Sequence, residues 1–148
     1  MGRGQMEQPN EVEVWIRALK NPSPDARADA AFGLGGVGGS RDEVVAALRT
    51  ALDDPDLMVV NFAAQSLGQL RDLPSLSSIR GLLSTGPPGH RRGLAWAVEA
   101  LAAIGTEQDR LDAKESLSAY LKRARGRNRA HAAGILARLE SRRLEDSP

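Results

Sequence analysis

The chain has 148 residues, enough for one domain with a sizeable core. It lacks cysteine, which excludes disulfides and thiolate metal sites; no run approaches the ~20 apolar residues of a membrane span and no early apolar stretch resembles a signal peptide, so a cytoplasmic location is expected. Its 20 basic and 19 acidic residues nearly cancel, but residues 1–89 carry 8 basic and 11 acidic (net −3) and residues 90–148 carry 12 and 8 (net +4).

Apolar periodicity predicts eight helices and no strand. In the first, at about 10–20, Val12, Trp15 and Leu19 recur at i, i+3 and i+7, with Asn10 and Glu13 as a weak capping pair. The second, about 24–37, has Ser23 as its cap and Pro24 at the first helical position, where a missing N–H is harmless. The third, about 41–52, opens on Ser40-Arg41-Asp42-Glu43, which reads as a capping box, and carries Val45, Leu48 and Leu52 on one face. Asp54-Pro55-Asp56 precedes the fourth, about 57–70. The fifth, about 74–84, repeats the Leu76, Ile79, Leu83 face, and Thr85-Gly86-Pro87-Pro88-Gly89 breaks the chain before the sixth, about 90–104. The seventh, about 107–123, is capped by Thr106 with Asp109 and puts Lys114 where the first apolar residue would stand. The eighth covers about 127–143. The first nine and last five residues are expected to be disordered, leaving 10–143 as one repeat domain.

The even-numbered helices are copies of one another. Ala30, Ala63, Ala97 and Ala132 form one column; Ala31, Ala64, Val98 and Ala133 a second; Leu34, Leu67, Leu101 and Leu136 a third; Val37, Leu70, Ile104 and Leu139 a fourth. Successive copies lie 33, 34 and 35 residues apart. A period of this length marks one supersecondary unit that must stack on its neighbours to bury its apolar face.

Arg27-Ala28-Asp29-Ala30-Ala31-Phe32-Gly33-Leu34-Gly35 resembles the HEAT-repeat family, in particular its short bacterial class. The pattern runs Arg, two residues, Ala-Ala, two residues, Leu-Gly, and returns at 60–68 and 129–137. Val60 and Leu94 depart from it at the basic position, Ala102 and Ala137 at the glycine. The resemblance implies an all-α, right-handed α-solenoid of about four helical hairpins, and protein binding on the concave surface of the second helices. Two rivals stand beside it: nucleic-acid binding through the basic C-terminal helix, and an accessory lyase or chaperone role that the likeness to repeats of the bilin-lyase type implies.

Candidate chemistry is sparse. Gly33-Leu34-Gly35-Gly36-Val37-Gly38 satisfies the dinucleotide fingerprint G-x-G-x-x-G, yet that motif needs a strand before it and a helix N-terminus after it. Here the glycines close a helix, where left-handed backbone is expected. His90 and His131 form no metal-ligand pattern and the His-Glu dipeptides of iron-binding relatives are absent, so no metal and no cofactor are expected. Trp96 and Glu99 stand one turn apart, and HEAT-like DNA glycosylases use tryptophans and a carboxylate beside a basic groove, but the column positions of Trp15 and Trp96 fit packing. Eight of nine charged residues among Lys122, Arg123, Arg125, Arg127, Arg129, Arg138, Glu140, Arg142 and Arg143 are basic. These arginines are spread around the helix, so nucleic acid is not the expected partner.

Partner binding is assigned to the helices between the copies, read as the second helices of the units, at positions outside their core columns: Glu13, Arg17, Arg49, Thr50, Ser77, Arg80, Glu115 and Ser118. Stacked, they make a strip of mixed charge in which arginines are favoured interface anchors. The expectation is a non-enzymatic protein-binding scaffold.

Overall fold

The computed structural model describes residues 10–37, 41–87 and 89–145, with side chains through 141. These residues hold eight α-helices: α1 (Glu11–Ala18), α2 (Pro24–Leu34), α3 (Arg41–Ala51), α4 (Leu57–Gln69), α5 (Leu76–Thr85), α6 (Arg92–Ile104), α7 (Glu107–Leu121) and α8 (Gly126–Glu145). A single 3-10 turn, Leu73–Ser75, leads into α5, and no strand occurs among the described residues. Every expected helix is present, with its start within two residues and its end within three of the periodicity. At the C-terminus, α8 runs to Glu145, past the expected domain end at 143. Residues 1–9 and 146–148, and Ser40 of the expected capping box, lie outside the described residues.

The caps act as the sequence suggests. Asn10 Oδ1 accepts from the Glu13 amide at 2.8 Å, Ser23 Oγ from Ala26 at 3.4 Å, and Asp56 Oδ1 from Met58 at 2.9 Å. Thr106 and Asp109 close a full capping box: the Asp109 amide donates to Thr106 Oγ1 at 3.1 Å and the Thr106 amide to Asp109 Oδ2 at 2.8 Å. Each satisfies an orphan amide of a helix start and contributes roughly 1 kcal/mol.

Consecutive helices pair into four hairpins, α1–α2, α3–α4, α5–α6 and α7–α8, as short connections require. The hairpins stack so that α2, α4 and α6 lie in close file with α8 following, whereas α1 touches α3 sparsely and α3 stands off α5. Two layers result; over the first three hairpins the even helices are close and the odd ones splayed, whereas at the last step α5 and α7 pack closely. Ala30, Ala63, Ala97 and Ala132 are all fully buried, as are Leu34, Leu67 and Leu101. Leu136 and Ala133, in the same columns of the last copy, keep solvent exposure, since no other described helix packs over them.

Glycine in the tight layer serves close approach, not left-handed backbone. Gly35, at the end of α2, has φ −66°, which corrects the expected reason for the glycine cluster. A Cβ there would meet Ser66 Oγ at 2.6 Å, and one at Gly33 would meet the Trp15 ring at 2.9 Å. On Gly68 it would lie 2.8 Å from the Trp96 ring and 3.1 Å from Ala97 Cα. Gly38 lies outside the described residues.

Candidate partner-binding site

The sequence-derived strip falls on the first helix of each hairpin: Glu13 and Arg17 on α1, Arg49 and Thr50 on α3, Ser77 and Arg80 on α5, Glu115 and Ser118 on α7. The repeat columns alone make these positions look like a second-helix face; the pairing of α1 with α2, α3 with α4, α5 with α6 and α7 with α8 places them on the first helices instead. Six of the eight are exposed side chains with no ion pair among the described residues. The two arginines chosen as anchors differ, because both are engaged within the fold.

Arg49 holds Asp72. Its Nε and Nη2 donate to the two Asp72 oxygens at 2.9 and 2.8 Å, and Asp72 is 2% exposed. Ser75 Oγ also donates to Asp72, and Arg41 Nη2 stands 3.9 Å from it. Burial pushes the Asp72 carboxyl up, but the hydrogen bonds from Arg49 and Ser75 and the charges of Arg49 and Arg41 outweigh it, and the net shift is downward. The local chain explains the placement. Arg71, at φ 58°, ends α4 in a Schellman motif: the Asp72 amide donates to Leu67 O at 3.0 Å and the Arg71 amide to Gly68 O at 3.1 Å. That turn swings Asp72 inward beneath α3. Arg80 Nη2 lies 3.8 Å from Asp112 on α7.

The splayed layer does contain grooves. Between α1 and α3 a groove of about 410 Å³ is floored by Ile16, Leu19, Ala47 and Ala51, with Thr50 at its side. Between α3 and α5 a larger one of about 470 Å³ runs past Arg49, Asp53, Ser78, Gly81 and Thr85. Both arise where neighbouring first helices stand apart.

The tight layer is tied together by polar links at buried positions, one at each helix-to-helix step. Ser66 Oγ of α4 donates to Ala31 O of α2 at 2.6 Å. The Gly93 amide of α6 donates to Asn61 Oδ1 of α4 at 2.8 Å. Arg138 of α8 grips Glu99 of α6 with two hydrogen bonds of 2.7 and 3.0 Å. Glu99 is thereby a structural carboxylate. A polar residue inside an apolar column register, such as Ser66 beside Leu67, is the signal that could have revealed these links.

The solvent side of this layer carries aromatic groups. Phe32 of α2 is 56% exposed and meets Phe62 of α4 edge to face, with ring centroids 5.4 Å apart. Trp96 of α6 lays its ring over Gly68 and, with Asn61, Gln65, Arg92, Gly93 and His131, lines an open pocket of about 330 Å³. Phe62, Trp96 and His131 are one repeat column, half-buried at each step. Burial, then the charges of Arg92 and Arg138, hold the His131 imidazole below its ordinary pKa against the opposing pull of Glu99. Its Nδ1 is buried without a hydrogen-bond partner.

Much of the basic C-terminal block is occupied by the fold itself. Arg123 Nη2 donates to Leu83 O at 2.7 Å and its Nη1 to Gly86 O, placing a cation on the C-terminal end of α5. Nearby, the buried Arg91 donates from Nε to Pro87 O at 2.5 Å. Arg129 donates to Leu121 O and Arg138 is committed to Glu99. The arginines that suggested phosphate contacts therefore include several structural ones. Among the described residues, no group of three His, Asp or Glu side chains could hold a metal ion, and no helix is long and apolar enough to cross a membrane.

Helical hairpins that repeat one register and stack one on the next define an α-solenoid repeat module. A family model for HEAT repeats matches residues 12–99, and the chain belongs to the HEAT-repeat family. No curated protein matches the chain, so the likeness to bilin-lyase repeats rests on the sequence pattern alone.

Proposed function

We propose that the chain is a non-enzymatic protein-binding scaffold that takes a partner segment across the exposed side of α2, α4, α6 and α8. The observation that carries this is the part-exposed aromatic row of Phe32, Phe62 and Trp96 on the tight layer. Aromatic side chains are enriched at interface centres, where they bury large area at low entropic cost. Amide and charged groups beside the row, namely Gln65, Asn61 and Arg92, supply hydrogen bonds for orientation. HEAT-repeat proteins commonly serve as helical scaffolds for other proteins, which agrees in kind. The strip on the first helices offers no comparable row, and its Arg49 and Arg80 are turned to Asp72 and Asp112.

Site-specific photocrosslinking in the native cell tests the assignment. A crosslinker in place of Gln65 should capture a discrete protein that one in place of Ser118 does not. Phe32→Ala with Trp96→Ala should abolish that capture while far-UV circular dichroism stays helical. Capture from Ser118 alone, indifferent to the aromatic substitutions, would move the site to the first helices.

A further inference from the structure

Charge on the aromatic face is ordered along the solenoid. Two repeat columns run across it in register with the copy spacing. One reads Asp25, Met58, Arg92, Arg127; the other reads Asp29, Phe62, Trp96, His131. Both begin acidic on α2 and pass through apolar residues, and the first ends on two arginines. Asp25, Asp29, Arg92 and Arg127 are exposed and make no ion pair among the described residues. Glu99, on α6 beside His131, is neutralised by Arg138 through two hydrogen bonds. The face is thus negative at one end, apolar in the middle and positive at the other.

Resting on the proposed partner-binding role of this face, we infer that its occupant is a segment of a partner protein with the opposite charge order: basic over α2, apolar over α4 and α6, acidic over Arg92 and Arg127. Three helix-to-helix steps of about 8–10 Å separate the ends, roughly 24–30 Å in all. An extended strand rising ~3.3 Å per residue covers that span in about eight residues. Complementary end charges fix the register and polarity of such a segment, and like charges at either end reject alternatives. A nucleic-acid strand, uniformly negative, is repelled at Asp25 and Asp29. A uniformly acidic or basic peptide gains at one end what it loses at the other.

Three fluorescent twelve-residue peptides sharing one Leu-Phe centre test this by anisotropy at about 50 mM salt. One carries a Lys pair at one end and a Glu pair at the other, one carries Lys pairs at both ends, and one Glu pairs at both. The bipolar peptide should bind about tenfold more tightly than either uniform one, the scale of a few exposed charge pairs. In Asp25→Lys/Asp29→Lys the preference should move to the Glu–Glu peptide, and in Arg92→Glu/Arg127→Glu to the Lys–Lys peptide. All four positions are exposed, and circular dichroism melts verify that the variants fold. Equal binding of the three peptides, lost on Phe32→Ala/Trp96→Ala, overturns the charge order and leaves the partner-binding proposal standing. Absence of any binding removes both. Sedimentation showing a dimer that the same charge reversals dissociate assigns the face to a second copy and refutes a partner segment.

Discussion

Replacing Arg49 by methionine removes the guanidinium from a buried carboxylate and keeps much of the aliphatic stem. Asp72 is 2% exposed and loses two charge-assisted hydrogen bonds of 2.9 and 2.8 Å. It retains the Ser75 hydroxyl and the more distant Arg41 at 3.9 Å. Stripping one partner from a fully buried ion pair costs about 3–5 kcal/mol, and hydrogen bonds to charged groups contribute about 1.5–3 kcal/mol each. Because Arg49 is half in water and two donors remain, the expected loss is about 2–3 kcal/mol, or roughly 5–10 °C in Tm for a chain of this length. Urea melts of the wild type, Arg49→Met, Asp72→Asn and the double variant form a cycle. The double variant should lose less than the two singles together, because neither charge is then left unpaired. Acid provides a second check. Asp72 is depressed in the folded state, so its contribution is present above the unfolded carboxylate pKa of about 3.9 and is lost as pH falls through the folded value. The gap between wild type and Arg49→Met should therefore narrow below about pH 4. A loss under about 0.5 kcal/mol at neutral pH, the usual surface range, would refute the anchoring role and restore Arg49 as a free interface residue.

Three further substitutions probe other parts of the fold. Gly68→Ala should cost about 1–3 kcal/mol and alter the near-ultraviolet dichroism of Trp96, since the new methyl meets the indole ring and Ala97 Cα, whereas Gly81→Ala, with open space around it, should gain about 0.5–1 kcal/mol; equal effects on thermal melting would contradict the packing. Arg71→Gly should stabilise by about 0.5–1 kcal/mol by relieving a positive φ at the Schellman position, and a destabilised melt would show that the arginine side chain outweighs the backbone. His131 should titrate below the ordinary 6.5 in proton NMR, giving stability that is present above that pH and lost as acid drives the imidazole to charge; a value at or above 6.5 would mean that Glu99 and not burial dominates its surroundings.

The sequence made the helices and their buried faces legible because a 33- to 35-residue repeat writes each face several times. A column holding alanine in all four copies leaves little room for any other packing, and all four alanines are fully buried. End effects were also foreseeable: Trp15 and Leu19 in the first hairpin and Leu121 and Leu136 in the last are only half-buried, while their equivalents in the middle copies are covered. At Ser66, Asn61, Glu99 and Asp72 the sequence shows at most a polar residue in a buried register; the partner was not legible, because each link depends on which carbonyl, amide or guanidinium another helix presents. The same holds for Arg49. A charged residue outside the core column looks free until a turn one repeat further on delivers Asp72 beneath it.

Which layer faces inward is a matter of side-chain size. Interaxial distance follows the groups at the contact, within about 8–10 Å. At the α2–α4 and α4–α6 contacts stand alanines and glycines, with Gly35 against Ser66 and Gly68 against Ala97. The odd helices present Val45, Leu48, Leu52, Ile79 and Leu83 to the core and have no glycine seam of their own. Over the first three hairpins the stack is shorter per step on the even side and must curve toward that side. Curvature gathers the even-helix side chains and separates the odd ones, which is why Phe32 reaches Phe62 across one step while open grooves divide α1, α3 and α5. Alanine columns and the aromatic contact are therefore two parts of one arrangement: the first brings α2 and α4 close enough for Phe32 and Phe62 to meet across the step.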